Sequence, residues 1–185
     1  MYAQSTSGGV RLVLESVERR LLDDLLAELA TTLDAANPSQ DDDPFAWWER
    51  QEHGAADPGS DDPAVRRLFP MVASAEVDPK GELRSFARTV MSQQRASDLA
   101  VVRDALSSPG RGGRLDVRAD DVDAWLRTLN AINLLLTSRL GIIDVISADE
   151  VARAASDDDH PVAFMYHVHQ WVAGVMESIL DVMHS

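Results

Sequence analysis

The chain has 185 residues, 45% of them hydrophobic, and 31 acidic side chains against 17 basic ones give a formal charge of −14. That length can bury a core within one domain, and the absence of cysteine excludes disulfides, thiolate metal sites and a cysteine nucleophile. The acid excess repels a phosphate backbone at long range, so nucleic acid is disfavoured as a direct partner.

Residues 1–9 read as a flexible N-terminal segment. They lack the basic start and long apolar run of a signal peptide. No apolar stretch approaches the ~18 residues of a membrane span, so a cytoplasmic location is expected. "VRLVL" (Val10–Leu14) is β-branched and follows Gly8-Gly9, which predicts a short strand. In "SVERRLLDDLLAELATTL" the apolar residues Val17, Leu21, Leu22, Leu25, Leu29 and Leu33 recur every three or four positions, the spacing of an amphipathic helix.

An acidic loop region over about 37–62 follows, holding short helices. "DPFAWWERQ" and "DPAVRRLF" each place Asp at the N-cap and Pro at the first helical position. "DPKGELRSFARTV" starts the same way at Asp78-Pro79 and predicts a helix as far as Leu106. Its early apolar residues, Leu83, Phe86, Ala87 and Val90, lie on a different side from Leu99, Val102 and Leu106, so a bend or break is expected near "SQQRAS". "SSPGRGG" is a loop, and "RLDV" (Arg114–Val117) a second short strand able to pair with the first.

The clearest core helix carries Val122, Leu126, Leu129, Ile132, Leu136 and Leu140 and closes on Gly141. "SADE" (Ser147–Glu150) has the form of a capping box. "DDDHP" opens the last helix with Pro161 at its first position. The fold expected is mainly α: a single helical domain over 10–185, with three long helices, several short ones and a small two-stranded β pairing.

The most chemical-looking stretch is "YHVHQW", Tyr166 to Trp171. At ~100° per helical residue its two histidines point about 200° apart and cannot share one ion. His169 falls at the margin of the apolar stripe Val168, Val172, Val175, Ile179 and Val182, and His167 on the polar side. The Asp runs at 41–43 and 157–159 lack calcium-loop spacing. "PGRGGR" has no accompanying lysine, which rules out a Walker loop. Neither a G-x-S-x-G nor an H-E-x-x-H motif occurs. No catalytic, cofactor or metal residue is therefore assigned.

Two features suit an interaction surface. From Lys80 to Arg118 eight basic residues face four acidic ones, a local +4 that leaves −18 for the remainder. Within that segment Lys80, Arg84, Arg88 and Arg95 share roughly 80° of helical arc, a basic stripe able to meet an acidic partner or the chain's own Asp-rich loops. Trp47 and Trp48 diverge by ~100° on a helix, so that one can pack while the other faces out.

Several segments in order, "RLLDDLLAEL", "DPFAWWE", "DPAVRRLFP", "RLGI" and "HQWVAGVMESIL", resemble the actinobacterial domain-of-unknown-function family 2017 over about Arg11 to Met183. "DPAVRRLFP" is the most specific of them. The resemblance implies a largely helical fold, genes near the Clp-protease adaptor, and a regulatory role in transcription or oxidative stress. It implies no catalytic residues. A chain without cysteine cannot itself sense oxidants through thiols.

The reading expected is a non-enzymatic regulator acting through an unidentified protein partner, as a monomer or a homodimer. The alternatives are a DNA-contacting regulator using the basic 80–118 segment and a metal-dependent or hydrolytic enzyme.

Overall fold

The computed structural model describes residues 1–36, 62–70, 82–107 and 113–184, apart from the side chains of residues 82, 84 and 85. The described chain is mainly helical, with a small antiparallel sheet. Two strands, β1 (Tyr2–Thr6) and β2 (Gly9–Val13), lead into α1 (Ser16–Ala36). Then come α2 (Pro63–Leu68), α3 (Glu82–Ser107), β3 (Arg114–Arg118), α4 (Val122–Arg139), α5 (Val145–Ala154) and α6 (Ala163–Met183).

The sheet has the order β1-β2-β3, with Val10 opposite Val117 and Leu12 opposite Leu115. Alternation along each strand sends Val10, Leu12, Leu115 and Val117 into the core and leaves Arg11, Arg114, Asp116 and Arg118 on the outer face. The expected pairing of the two short strands is present, and a third strand extends it. Tyr2–Thr6, expected as part of a flexible segment, pairs along the whole of β2. Its polar sequence, YAQST, hides it from an apolar-pattern reading. Gly9 sits at φ +146 beside β3, where a Cβ would lie 2.1 Å from the Val117 carbonyl oxygen. Only glycine fits this crossing without strain.

The core joins the inner face of the sheet to Leu22, Leu26 and Leu29 of α1, Trp125, Leu129 and Ile132 of α4, and Val172, Val175 and Ile179 of α6. α4 is the central helix, packed by α1, α2, α3 and α6. Asp62 caps α2, accepting the Ala64 N–H at 2.8 Å, with Pro63 at the first position as its sequence predicts. Gly141 ends α4 at φ +71.

Three details differ from expectation. No break falls near "SQQRAS": α3 is one helix of 26 residues. Its two apolar sides arise because Leu99, Val102 and Leu106 enter the core while Leu83, Phe86 and Val90 stay exposed. The capping box of α5 lies three residues earlier than "SADE". Asp144 accepts the Ser147 N–H at 2.8 Å and the Ser147 hydroxyl returns to the Asp144 N–H at 3.0 Å, so Ser147 is the third helical residue and not the cap. The last helix begins at Ala163, two residues after Pro161, because a turn joining the His160 carbonyl to the Ala163 N–H precedes it.

Candidate interaction surfaces

Of the basic-stripe residues, Arg88 and Arg95 are seven apart on α3 and therefore on one side of it. That side meets Phe69, at the end of α2. The Arg88 and Arg95 guanidinium carbons stand 5.4 Å and 5.7 Å from the ring centroid, within cation–π range. Arg95 also donates to the Leu68 carbonyl at 2.7 Å. Both side chains are half-buried, so this part of the stripe fastens α3 to α2. Burial lowers the Arg95 guanidinium from its ordinary value, and nearby Asp98 opposes the shift. Lys80, Trp47, Trp48 and the side chain of Arg84 lie outside the described residues.

One turn beyond Arg95, Asp98 is 4% exposed. Gln94 Nε2 donates to its Oδ1 at 2.9 Å, and Arg127 of α4 grips both oxygens at 2.8 Å and 2.9 Å. A void of about 10 Å³ lies among Arg95, Asp98, Arg127 and Thr128. This is barely the size of one water, too small for a ligand. The group is an internal polar tie between α3 and α4.

"YHVHQW" lies in α6. His167 is exposed and His169 half-buried, with Tyr166 stacked on the His169 ring at 6.4 Å between centroids. Burial lowers the His169 pKa. Trp171 donates its indole N–H to Glu18 Oε1 at 3.0 Å. That carboxylate also takes the Glu15 N–H at 2.8 Å and the Met1 ammonium at 3.2 Å. Burial pushes the Glu18 carboxyl up, but these three donors outweigh it and the net shift is downward. Among the described residues no three histidine or acidic side chains gather as they would around a metal ion.

An open cleft of about 660 Å³ lies where β2 runs into α1, lined in part by Val13, Ser16, Arg19 and Gly113. Its polar groups have structural work: Arg19 donates to the Leu106 carbonyl, and the Gly113 carbonyl accepts the Leu14 N–H at 2.9 Å. On the outer face of the sheet Arg11 forms a fork with Asp116 at 2.5 Å and 2.9 Å. That pairing lowers the Asp116 carboxyl and raises the Arg11 guanidinium.

The surface that stands apart is the turn from α4 into α5. Ile143, Val145 and Ile146 are 79%, 76% and 70% exposed, and α5 buries none of its own residues. Helical spacing puts Val145 and Ile146 on the same outward side as Asp149 and Glu150. The ledge is held from beneath: Arg67 donates to the Ile142 carbonyl, and the Ile142 N–H reaches the Thr137 carbonyl at 3.0 Å. Helical periodicity in the sequence assigns these residues no role. The available signal was the apolar run "IIDVI" directly after Gly141, outside any helical stripe.

No helix among the described residues is long and apolar enough to cross a membrane. No curated protein and no solved structure matches the chain. One family model, described as "Domain of unknown function (DUF2017)", matches residues 1–183.

Proposed function

Since the chain belongs to the DUF2017 family, whose description carries no activity, we propose from the surface chemistry that it is a non-enzymatic regulatory protein acting by protein–protein contact. The observation that carries this reading is the ledge of Ile143, just before the cap of α5, with Val145 and Ile146 on that helix, which buries none of its residues. Burying one such side chain is worth about 1.5–3 kcal/mol, and these three lie together and unburied. The capping box and the Arg67 anchor hold the backbone beneath them in place. A preformed apolar surface binds without a large ordering cost. A part in transcription or stress response is consistent with such a mode of action.

The test is a photo-crosslinking amino acid placed at Ile146 in the native host, with one at exposed Ser5 as control. The reading expects a discrete adduct from position 146 that disappears when Ile143 and Val145 become serine. Equal labelling from both positions, or none from 146, would defeat it.

A second reading, contact with duplex DNA through the 80–118 segment, has one supporting observation: Arg114 and Arg118 are exposed on the outer sheet face beside Arg11. It predicts a gel shift at low salt that weakens steeply as salt rises. No shift at low salt would remove it.

A further inference from the structure

We infer that the α4–α5 ledge receives a basic amphipathic helix from a partner protein. This inference rests on the proposed protein–protein role and names the chemistry of the partner. Three facts define the occupant. Ile143, Val145 and Ile146 present a short apolar strip, too narrow for a broad interface and suited to the apolar side of one helix. Asp149 and Glu150 follow one turn later on the same outward side, within reach of any cation flanking the partner's apolar residues. Along the chain, positions 144–159 hold six acids, Asp144, Asp149, Glu150, Asp157, Asp158 and Asp159, against one arginine, Arg153.

The Asp144 carboxylate is taken up by the Ser147 N–H, which lowers its pKa and keeps it ionised beside the strip. Asp149 and Glu150 make no ion pair with any described residue, so their charge faces outward. The same acid rim argues against a second copy of this chain as the occupant. Two ledges meeting face to face would set carboxylates against carboxylates. A lone apolar strip would accept many helices; the rim selects by charge.

The experiment titrates two fluorescent 14-residue helical peptides into the full-length protein at about 0.1 M salt. One peptide is built from leucine and lysine, the other from leucine and glutamate in the same pattern. The inference expects saturable one-to-one binding of the lysine peptide, at least ten-fold weaker binding of the glutamate peptide, and a ten-fold or greater loss in the I143S/V145S/I146S variant, whose net charge is unchanged. D149K/E150K should reverse the preference between the peptides. Undiminished binding of the lysine peptide to the triple variant would overturn the inference, because attraction to the chain's overall charge would then explain it. Preference for the glutamate peptide would overturn the partner chemistry while leaving a docking ledge in place. A concentration-dependent dimer that the triple variant dissolves, read by sedimentation, would overturn it in favour of a second copy. Absence of peptide binding would also overturn it. The crosslink at Ile146 reports separately on the protein–protein role.

Discussion

Arg127 of α4 closes on the carboxylate of Asp98 of α3 through two parallel hydrogen bonds, Nε to Oδ2 at 2.8 Å and Nη2 to Oδ1 at 2.9 Å. The acid is nearly sealed from solvent while the arginine is about half exposed. Removing the cation leaves a buried charge that still accepts from Gln94 Nε2. Arg127→Ala is expected to destabilise the fold by about 2 kcal/mol, below the 3–5 kcal/mol of fully buried pairs because solvent already screens Arg127. Urea unfolding should show this as a lower midpoint at unchanged slope. Pairing the change with Asp98→Asn should recover part of the loss.

At Phe69 two guanidinium groups share one ring. Phe69→Leu keeps most of the apolar volume and removes the π face. A loss of about 1–2 kcal/mol is expected, the scale of partly desolvated cation–π contacts. Arg88→Gln should cost less in the Phe69→Leu background than in the wild-type chain. Thermal unfolding of the two single variants and the double variant checks this coupling.

Gly9→Ala would drive a methyl group into the Val117 carbonyl at a φ that side chains rarely adopt. The expected cost is at least about 2 kcal/mol. It should appear as faster amide exchange in β2 and β3, since the clash falls on the line where those strands pair.

His169 gives a pH signature. Burial places its folded-state pKa below the ordinary imidazole value of about 6.5. The unfolded chain therefore takes up the proton first as the medium acidifies. The His169 contribution is fully present above about pH 6.5 and is lost as pH falls through the lower folded-state value. His169→Gln should flatten the stability profile between pH 7 and 5. Glu18, whose carboxyl is shifted downward, acts in a lower window: its contribution is lost as pH falls through the carboxylate range. Glu18→Gln should flatten that acidic limb.

Ledge variants should behave differently from all of these. Ile143→Ser, Val145→Ser and Ile146→Ser remove side chains that touch solvent, so each should change stability by no more than about 0.5 kcal/mol. Matching melting curves would confirm that any lost binding comes from the surface and not from unfolding.

Helical periodicity made the core elements legible. Val168, Val172, Val175 and Ile179 are buried, and His169 and His167 fall on the margin and the polar side that the arithmetic assigns. The limits came where tertiary packing chooses between neighbours. Trp125 is fully buried in α4 while Leu126 is only partly so, although the sequence reading placed Leu126 in the core row. Position 125 fits the same row, three residues after Val122 and four before Leu129. For Arg88 and Arg95 the shared side was readable from spacing, but the phenylalanine beneath them is brought there by a fold that local spacing does not encode. The ledge was missed for a related reason. Apolar residues are read as inward by default, and the inner side of α5 is instead filled by small residues such as Ala148 and Ala152.

α3 carries a consequence of its own. Its C-terminal turns carry Leu99, Val102 and Leu106 into the core beside α1 and α4, whereas Leu83, Phe86 and Val90 of its first turns are exposed. One continuous rod is thus sunk in the core along its later turns and presents apolar side chains outward along its earlier ones, over about 10.5 Å from Leu83 to Val90 at 1.5 Å per residue. Opening of the outer turns need not disturb the inner ones, so backbone protection should rise in steps from Leu83 toward Val102. Through Phe69 and Arg67 the short helix α2 joins the early turns of α3 to the backbone beneath the ledge.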